Sequence, residues 1–152
     1  MENYDKAKAA RVWQRVQGAA TANPTQGLPG MIAEEQADAA LYLALSRRVQ
    51  GPAANILRKM SQEEQTHMAC LKGIYTLQGQ GRPDIPSPPT VDNAPVGLLL
   101  RRCYGREMRC LAQYEARVND PEYGQVFARM AGQEREHCRQ ILELLGRLPP
   151  EK

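Results

Sequence analysis

The sequence of 152 residues is short of several things, and each shortage excludes a class of protein. It has one Trp, one Phe and six Tyr, 5 % aromatic in all, and few β-branched residues; the abundance of Ala, Leu, Gln, Arg and Glu favours helices instead. Charge of one sign is lacking: 20 Lys and Arg against 17 Asp and Glu leave a net +3, too little and too evenly spread for a nucleic-acid partner. No apolar run approaches the roughly 20 residues that cross a bilayer, so no membrane partner is expected. The segment Met1 to Lys6 has no apolar leader core, and the expected location is the cytoplasm. Cys70, Cys103, Cys110 and Cys138 form no Cys-x-x-Cys pair, which excludes a rubredoxin-like iron site and a zinc knuckle. They read as buried thiols, and a redox role would fall first to Cys103 and Cys110, which share a helix face. Histidine is scarcest among the polar residues: only His67 and His137 occur.

Turn formers divide what is there. Residues 5–17 read as a short helix with Ala9, Val12, Trp13 and Val16 on one side, inside an N-terminal segment 1–20. Residues 21–30 are a linker. Four long helices are expected, over about 28–50, 52–78, 96–118 and 121–145. Gly51-Pro52 separates the first two, and Asn119-Asp120-Pro121 caps the last, with Pro at the first helical position. These short turns make two antiparallel hairpins. Between the hairpins, Gly79 to Pro95 holds five prolines and little periodic signal. Some 15 residues at roughly 3.3 Å each reach about 50 Å, whereas a 25-residue helix is only about 38 Å long. The linker can return along the whole bundle. The expected fold is therefore all-α: one domain over 28–146, a four-helix bundle with a long crossover between the second and third long helices, plus the short N-terminal helix.

Each long helix carries one apolar stripe at helical spacing. The stripe of the second reads Leu57, Met60, Glu64, His67, Leu71, Ile74, and that of the fourth Tyr123, Phe127, Met130, Glu134, His137, Ile141, Leu144, Leu148. The first gives Leu28, Ile32, Glu35, Ala39, Tyr42, Val49, and the third Leu100, Cys103, Glu107, Leu111, Tyr114, Val118. Polar interruptions sit at matching heights: Glu35 and Glu64 lie 16 and 13 positions either side of Gly51, Glu107 and Glu134 13 and 14 either side of Asp120. At about 1.5 Å per residue, all four are roughly 20–24 Å from their turns. The pattern repeats internally: Glu35 and Tyr42 are seven apart, as are Glu107 and Tyr114, and Glu64-x-x-His67 matches Glu134-x-x-His137.

Four carboxylates in an apolar interior repel one another and cannot stay ionised without partners. Two divalent cations would balance them, and two neutral imidazoles would add nitrogen ligands. A mixed carboxylate and imidazole set suits iron, or manganese, better than calcium, and lacks the thiolates of structural zinc. One Glu from each of two helices and Glu-x-x-His from each of the other two is the ligand pattern of ferritin-like di-iron bundles. Neighbouring acids fit less well. Glu34 is one residue off the stripe, Glu136 points elsewhere, and Glu115 belongs at the solvent edge. Glu63 is four residues from His67 and within reach of the site, but its counterpart in the repeat is Gln133, which favours Glu64. Tyr42 and Tyr114, two turns beyond their Glu, read as core aromatics or as hydroxyl donors beside the site.

The strings Met31-Ile-Ala-Glu-Glu-Gln-Ala-Asp-Ala-Ala-Leu-Tyr42, Ser61-Gln-Glu-Glu-Gln-Thr-His67 and Met130-Ala-Gly-Gln-Glu-Arg-Glu-His137 resemble the rubrerythrin-type branch of the ferritin-like di-iron proteins, over about residues 28–146. The resemblance implies a bridged centre of two iron ions in a four-helix bundle. It implies Glu35, Glu64, His67, Glu107, Glu134 and His137 as direct ligands, with Glu64 and Glu134 bridging. It also implies reduction of hydrogen peroxide or dioxygen, and a homodimer or larger assembly. The chain departs from the family in two ways. It has no rubredoxin domain, so electrons would come from a separate rubredoxin-like donor. Cys110 stands where the family has an additional Glu that takes part in ligand exchange, which bears directly on the peroxidase reading. The leading expectation is a peroxide-reducing oxidoreductase; the alternatives are an iron-binding or storage protein and an interaction bundle that docks through its N-terminal helix.

Overall fold

The computed structural model describes residues 27–148, and the short helix expected within 1–20 lies outside them. The described residues form four helices and no strand: α1 (Leu28–Ser46), α2 (Pro52–Leu77), α3 (Val96–Glu115) and α4 (Gly124–Arg147). Gly51 starts α2 with φ 66°, a left-handed conformation that costs glycine nothing, and Pro52 follows at the first turn. α4 starts at Gly124, not at Pro121 as expected, because Asp120 closes a turn over 121–123 instead, its Oδ1 accepting from the backbone N–H groups of Glu122 at 2.9 Å and Tyr123 at 2.6 Å. Gly124 opens that helix so close to the turn after α3 that a Cβ there would stand 2.4 Å from the Val118 carbonyl oxygen.

Two of the expected helices end early. Arg47 N–H donates to Ala44 O, and Arg117 N–H to Tyr114 O, a three-residue spacing that tightens the last turn. Val118 therefore falls off its stripe and is 37 % exposed, whereas Val49, past the helix end, still packs against the core.

Apolar burial occurs in two clusters at opposite ends. One joins the start of α1 (Leu28, Ile32), the end of α2 (Leu71, Ile74), the end of α3 (Leu111, Tyr114) and the start of α4 (Phe127, Met130). The other joins the end of α1 (Tyr42, Leu45), the start of α2 (Leu57, Met60), the start of α3 (Leu100, Cys103) and the end of α4 (Ile141, Leu144). Each fully buried aliphatic side chain contributes about 1.5–3 kcal/mol. Each cluster mixes starts and ends in the same way, so α2 and α3 run parallel, and the chain between them travels from one end of the bundle to the other. Ile85 packs on the first cluster; Ala94 and Val96 pack on the second. Gln36 Nε2 donates to Pro86 O at 3.4 Å and Arg48 Nη2 to Ala94 O at 2.9 Å, which straps the crossover to α1.

The helices pack mainly within the hairpins α1–α2 and α3–α4; across them, α2 meets α4 and α1 meets α3. All four cysteines are free; Cys103 belongs to one cluster and Cys110 to the other, as separate buried thiols.

Candidate metal centre

Between the two clusters the interior turns polar. Glu35 from α1, Glu64 and His67 from α2, Glu107 from α3, and Glu134 and His137 from α4 meet there, each 1 % exposed or less. Their donor atoms fall into two groups: Glu35, Glu64, His67 and Glu134, and Glu64, Glu107, Glu134 and His137, with all atoms of a group within 4.8 Å of one another. Glu64 and Glu134 belong to both. His67 Nδ1 lies 3.0 Å from Glu64 Oε2 and 2.9 Å from Glu134 Oε1. His137 Nδ1 lies 2.8 Å from Glu64 Oε1 and 3.7 Å from Glu134 Oε2. The ring centroids are 6.0 Å apart.

The surrounding contacts repeat with approximate two-fold symmetry, always across the hairpins. The Tyr42 hydroxyl of α1 donates to Glu107 Oε1 of α3, and the Tyr114 hydroxyl of α3 to Glu35 Oε1 of α1. Each tyrosine thus holds one oxygen of an outer carboxylate. His67 Nε2 is 2.6 Å from Gln133 Oε1 and His137 Nε2 is 2.7 Å from Glu63 Oε2. Amide and carboxylate oxygens only accept, so Nε2 carries a proton in both rings. In a neutral ring Nδ1 then has its lone pair facing the carboxylates.

The electrostatics show a centre short of positive charge. Burial would lower the pKa of His67, but hydrogen bonds to Glu134, Glu35 and Glu64 outweigh it and raise it from 6.5 to about 12. Burial likewise opposes the charged form of His137, and its bonds to Glu107, Glu134, Glu63 and Glu64 also win. Burial and the charge of Glu35 hold Glu64 well above the usual carboxylate range. Burial and Glu107 push Glu134 from 4.5 up to about 8. Burial also works against Glu107, but its hydrogen bonds to Glu134, His137 and Tyr42 bring it down to about 2. Burial and mutual repulsion therefore favour protonated groups at this centre.

These donors fit divalent cations. Glu35 Oε2, Glu64 Oε1, Glu107 Oε2, both Glu134 carboxylate oxygens and His137 Nδ1 are buried without a hydrogen bond of good geometry, although close pairs such as His137 Nδ1–Glu64 Oε1 at 2.8 Å occur among them. Unsatisfied buried polar atoms are rare and costly, and these six face one another within the two groups. Hard oxygen donors with one imidazole in each group could hold a metal ion.

Sequence reasoning missed one buried acid. Asp38, 1 % exposed, lies on α1 between Glu35 and Tyr42 and pairs with Arg106 Nη2 of α3 at 3.0 Å. Burial raises the Asp38 pKa and Arg106 opposes that shift. Arg106 lines a cleft of about 210 Å³ between α1, the crossover and α3. Arg106→Ala is expected to cost about 3 kcal/mol in urea unfolding, the lower end for breaking a buried pair because the arginine is partly exposed. Changing Asp38→Leu in the same chain should recover most of the loss.

The remaining acids divide clearly. Glu63 reaches His137 on α4, not His67 on its own helix. Glu115 pairs with Arg135 at 2.7 Å on the exposed surface, as expected of a solvent-edge residue. Glu34 accepts from the Cys110 thiol at 3.4 Å. Among the described residues no helix is long and apolar enough to cross a membrane. Comparison of the chain with family models, curated proteins and solved structures gives no match.

Proposed function

We propose that this chain is a ferritin-like, rubrerythrin-type di-iron oxidoreductase that reduces hydrogen peroxide, or dioxygen, with electrons from a separate rubredoxin-like donor. The observation that carries the proposal is the pair of buried donor groups sharing Glu64 and Glu134. The parallel run of α2 and α3 with a full-length crossover is the connectivity of ferritin-like bundles. Glu35, Glu64, His67 and Glu134 would hold one iron, or manganese, ion and Glu64, Glu107, Glu134 and His137 the other. Two such ions, when bound, would supply the two reducing equivalents that cleavage of an O–O bond needs.

The chain's own residues do the rest. Tyr42 and Tyr114 fix the outer carboxylates so that one oxygen of each faces inward. Gln133 and Glu63 hold the imidazoles by Nε2 and leave Nδ1 for the ions. Burial of all six ligands restricts the oxidant to a small molecule and keeps bulk water out. Reduction of one peroxide to two waters consumes two electrons and two protons, and the electrons must be replaced from outside. We propose a homodimer as the working form.

Metal-stripped protein loaded anaerobically with Fe(II) should take up two ions per chain. One equivalent of peroxide should then oxidise both, seen as near-ultraviolet absorption, faster than it oxidises free Fe(II). Failure to bind, or oxidation no faster than free iron, overturns the proposal. Size-exclusion chromatography tests the assembly: a dimer is expected, and a many-subunit shell would favour storage.

A further inference from the structure

The two halves of the centre match ligand for ligand, and the groups that hold their imidazoles from behind differ. His67 rests its Nε2 on an amide oxygen, Gln133 Oε1 at 2.6 Å, whereas His137 rests its Nε2 on a carboxylate, Glu63 Oε2 at 2.7 Å. Positions 63 and 133 are equivalent in the internal repeat, each directly before the Glu of a Glu-x-x-His. The rest of each group is the same: one tyrosine-held outer Glu, one His and the two shared carboxylates.

We infer that the two metal positions are unequal by construction, the ion on His137 binding more tightly than the ion on His67, and that Glu63 sets the difference. The inference rests on the dinuclear reading above. A carboxylate accepting the far N–H of a ligating imidazole makes the ring a stronger donor and brings a negative charge towards the cation. An amide does the first weakly and the second not at all. Glu63 is held for this task. Its Oε2 faces His137, while its Oε1 is 3.7 Å from Lys59 Nζ. Its side chain is 23 % exposed, so solvent moderates its charge without removing it. Glu63 touches no metal position itself and acts through His137, as a positioning residue.

Anaerobic titration of metal-stripped protein with Co(II), followed by visible absorption and by competition with a chelator, should resolve two binding steps at least tenfold apart. Repulsion between the two cations would also separate the steps, so the variants decide. Glu63→Gln should weaken the first step by roughly 10–100-fold, the usual cost of losing such a partner, and draw the two steps together. Gln133→Glu should tighten the second step. His67→Ala should keep the tight step and His137→Ala should lose it. Steps unmoved by both Glu63→Gln and Gln133→Glu would overturn the inference and leave the dinuclear reading standing. Absence of saturable Co(II) binding in the unaltered protein would overturn the reading itself.

Discussion

Replacing Glu64 or Glu134 with alanine should empty both metal positions, whereas replacing Glu35 or Glu107 should empty one. The asymmetry follows from membership of the two donor groups: Glu64 and Glu134 are common to both, while Glu35 and Glu107 each serve a single group. Direct ligands should cost more than the roughly 10–100-fold in affinity typical of an outer partner. Metal analysis after loading and desalting should therefore read close to zero ions per chain for Glu64→Ala and Glu134→Ala, and close to one for Glu35→Ala and Glu107→Ala. The variants should still fold. Removing one of four mutually repelling buried carboxylates relieves part of that repulsion, which offsets the loss of its contacts. Equal losses in all four variants would contradict the sharing.

The second large effect is a reversal of pH dependence when metal is bound. In the metal-free protein, His67 is raised from 6.5 to about 12 and Glu134 from 4.5 to about 8. The folded chain holds these protons after the unfolded chain has released them. Their contribution is full below the unfolded value and is lost as pH rises through the folded one, so stability falls with pH. Glu107, lowered from 4.5 to about 2, works the other way, and its contribution is lost as pH falls below 4.5. Metal-free protein should melt highest near pH 5 and progressively lower towards pH 8 and above. Bound metal needs deprotonated carboxylates and a free Nδ1, so its affinity rises over the same range. At a free metal concentration 1,000 times Kd, each ion adds about 4 kcal/mol, or on the order of 10 °C in Tm for a chain of this size. Melting curves at pH 5, 6.5 and 8, with and without Fe(II) or Mn(II), should give slopes of opposite sign. Parallel slopes would mean that the cluster does not exchange protons for metal.

Much of this centre is legible in the sequence because its residues break a rule. Glu35, Glu64, His67, Glu107, Glu134 and His137 sit on stripes that are otherwise apolar, and the structure buries all six. One helix boundary set by local chemistry is legible too: Gly51-Pro52 acts where it stands, whereas Asp120 binds the turn at 121–123 and the last helix starts only at Gly124. What cannot be read depends on which helix faces which. Asp38 looks like an ordinary surface acid until α3 brings Arg106 against it from 68 positions away. The spacing of Glu63 points to His67 on its own helix, but α2 packs against α4 and delivers it to His137 instead. Tyr42 and Tyr114 cross over in the same way, each serving the carboxylate of the opposite helix. The apolar pattern of α1 and α3 runs past their helix ends because spacing goes on matching after the backbone has tightened, and at Val118 the side chain is left exposed.

The sparse packing between the hairpins gives the bundle a seam. Most helix contact lies inside α1–α2 and inside α3–α4, while the bonds of Tyr42, Tyr114, Gln133 and Glu63 around the centre, and each donor group, span the gap. A cation held there is therefore a rivet joining two half-molecules, and chelation should loosen that joint before either hairpin frays.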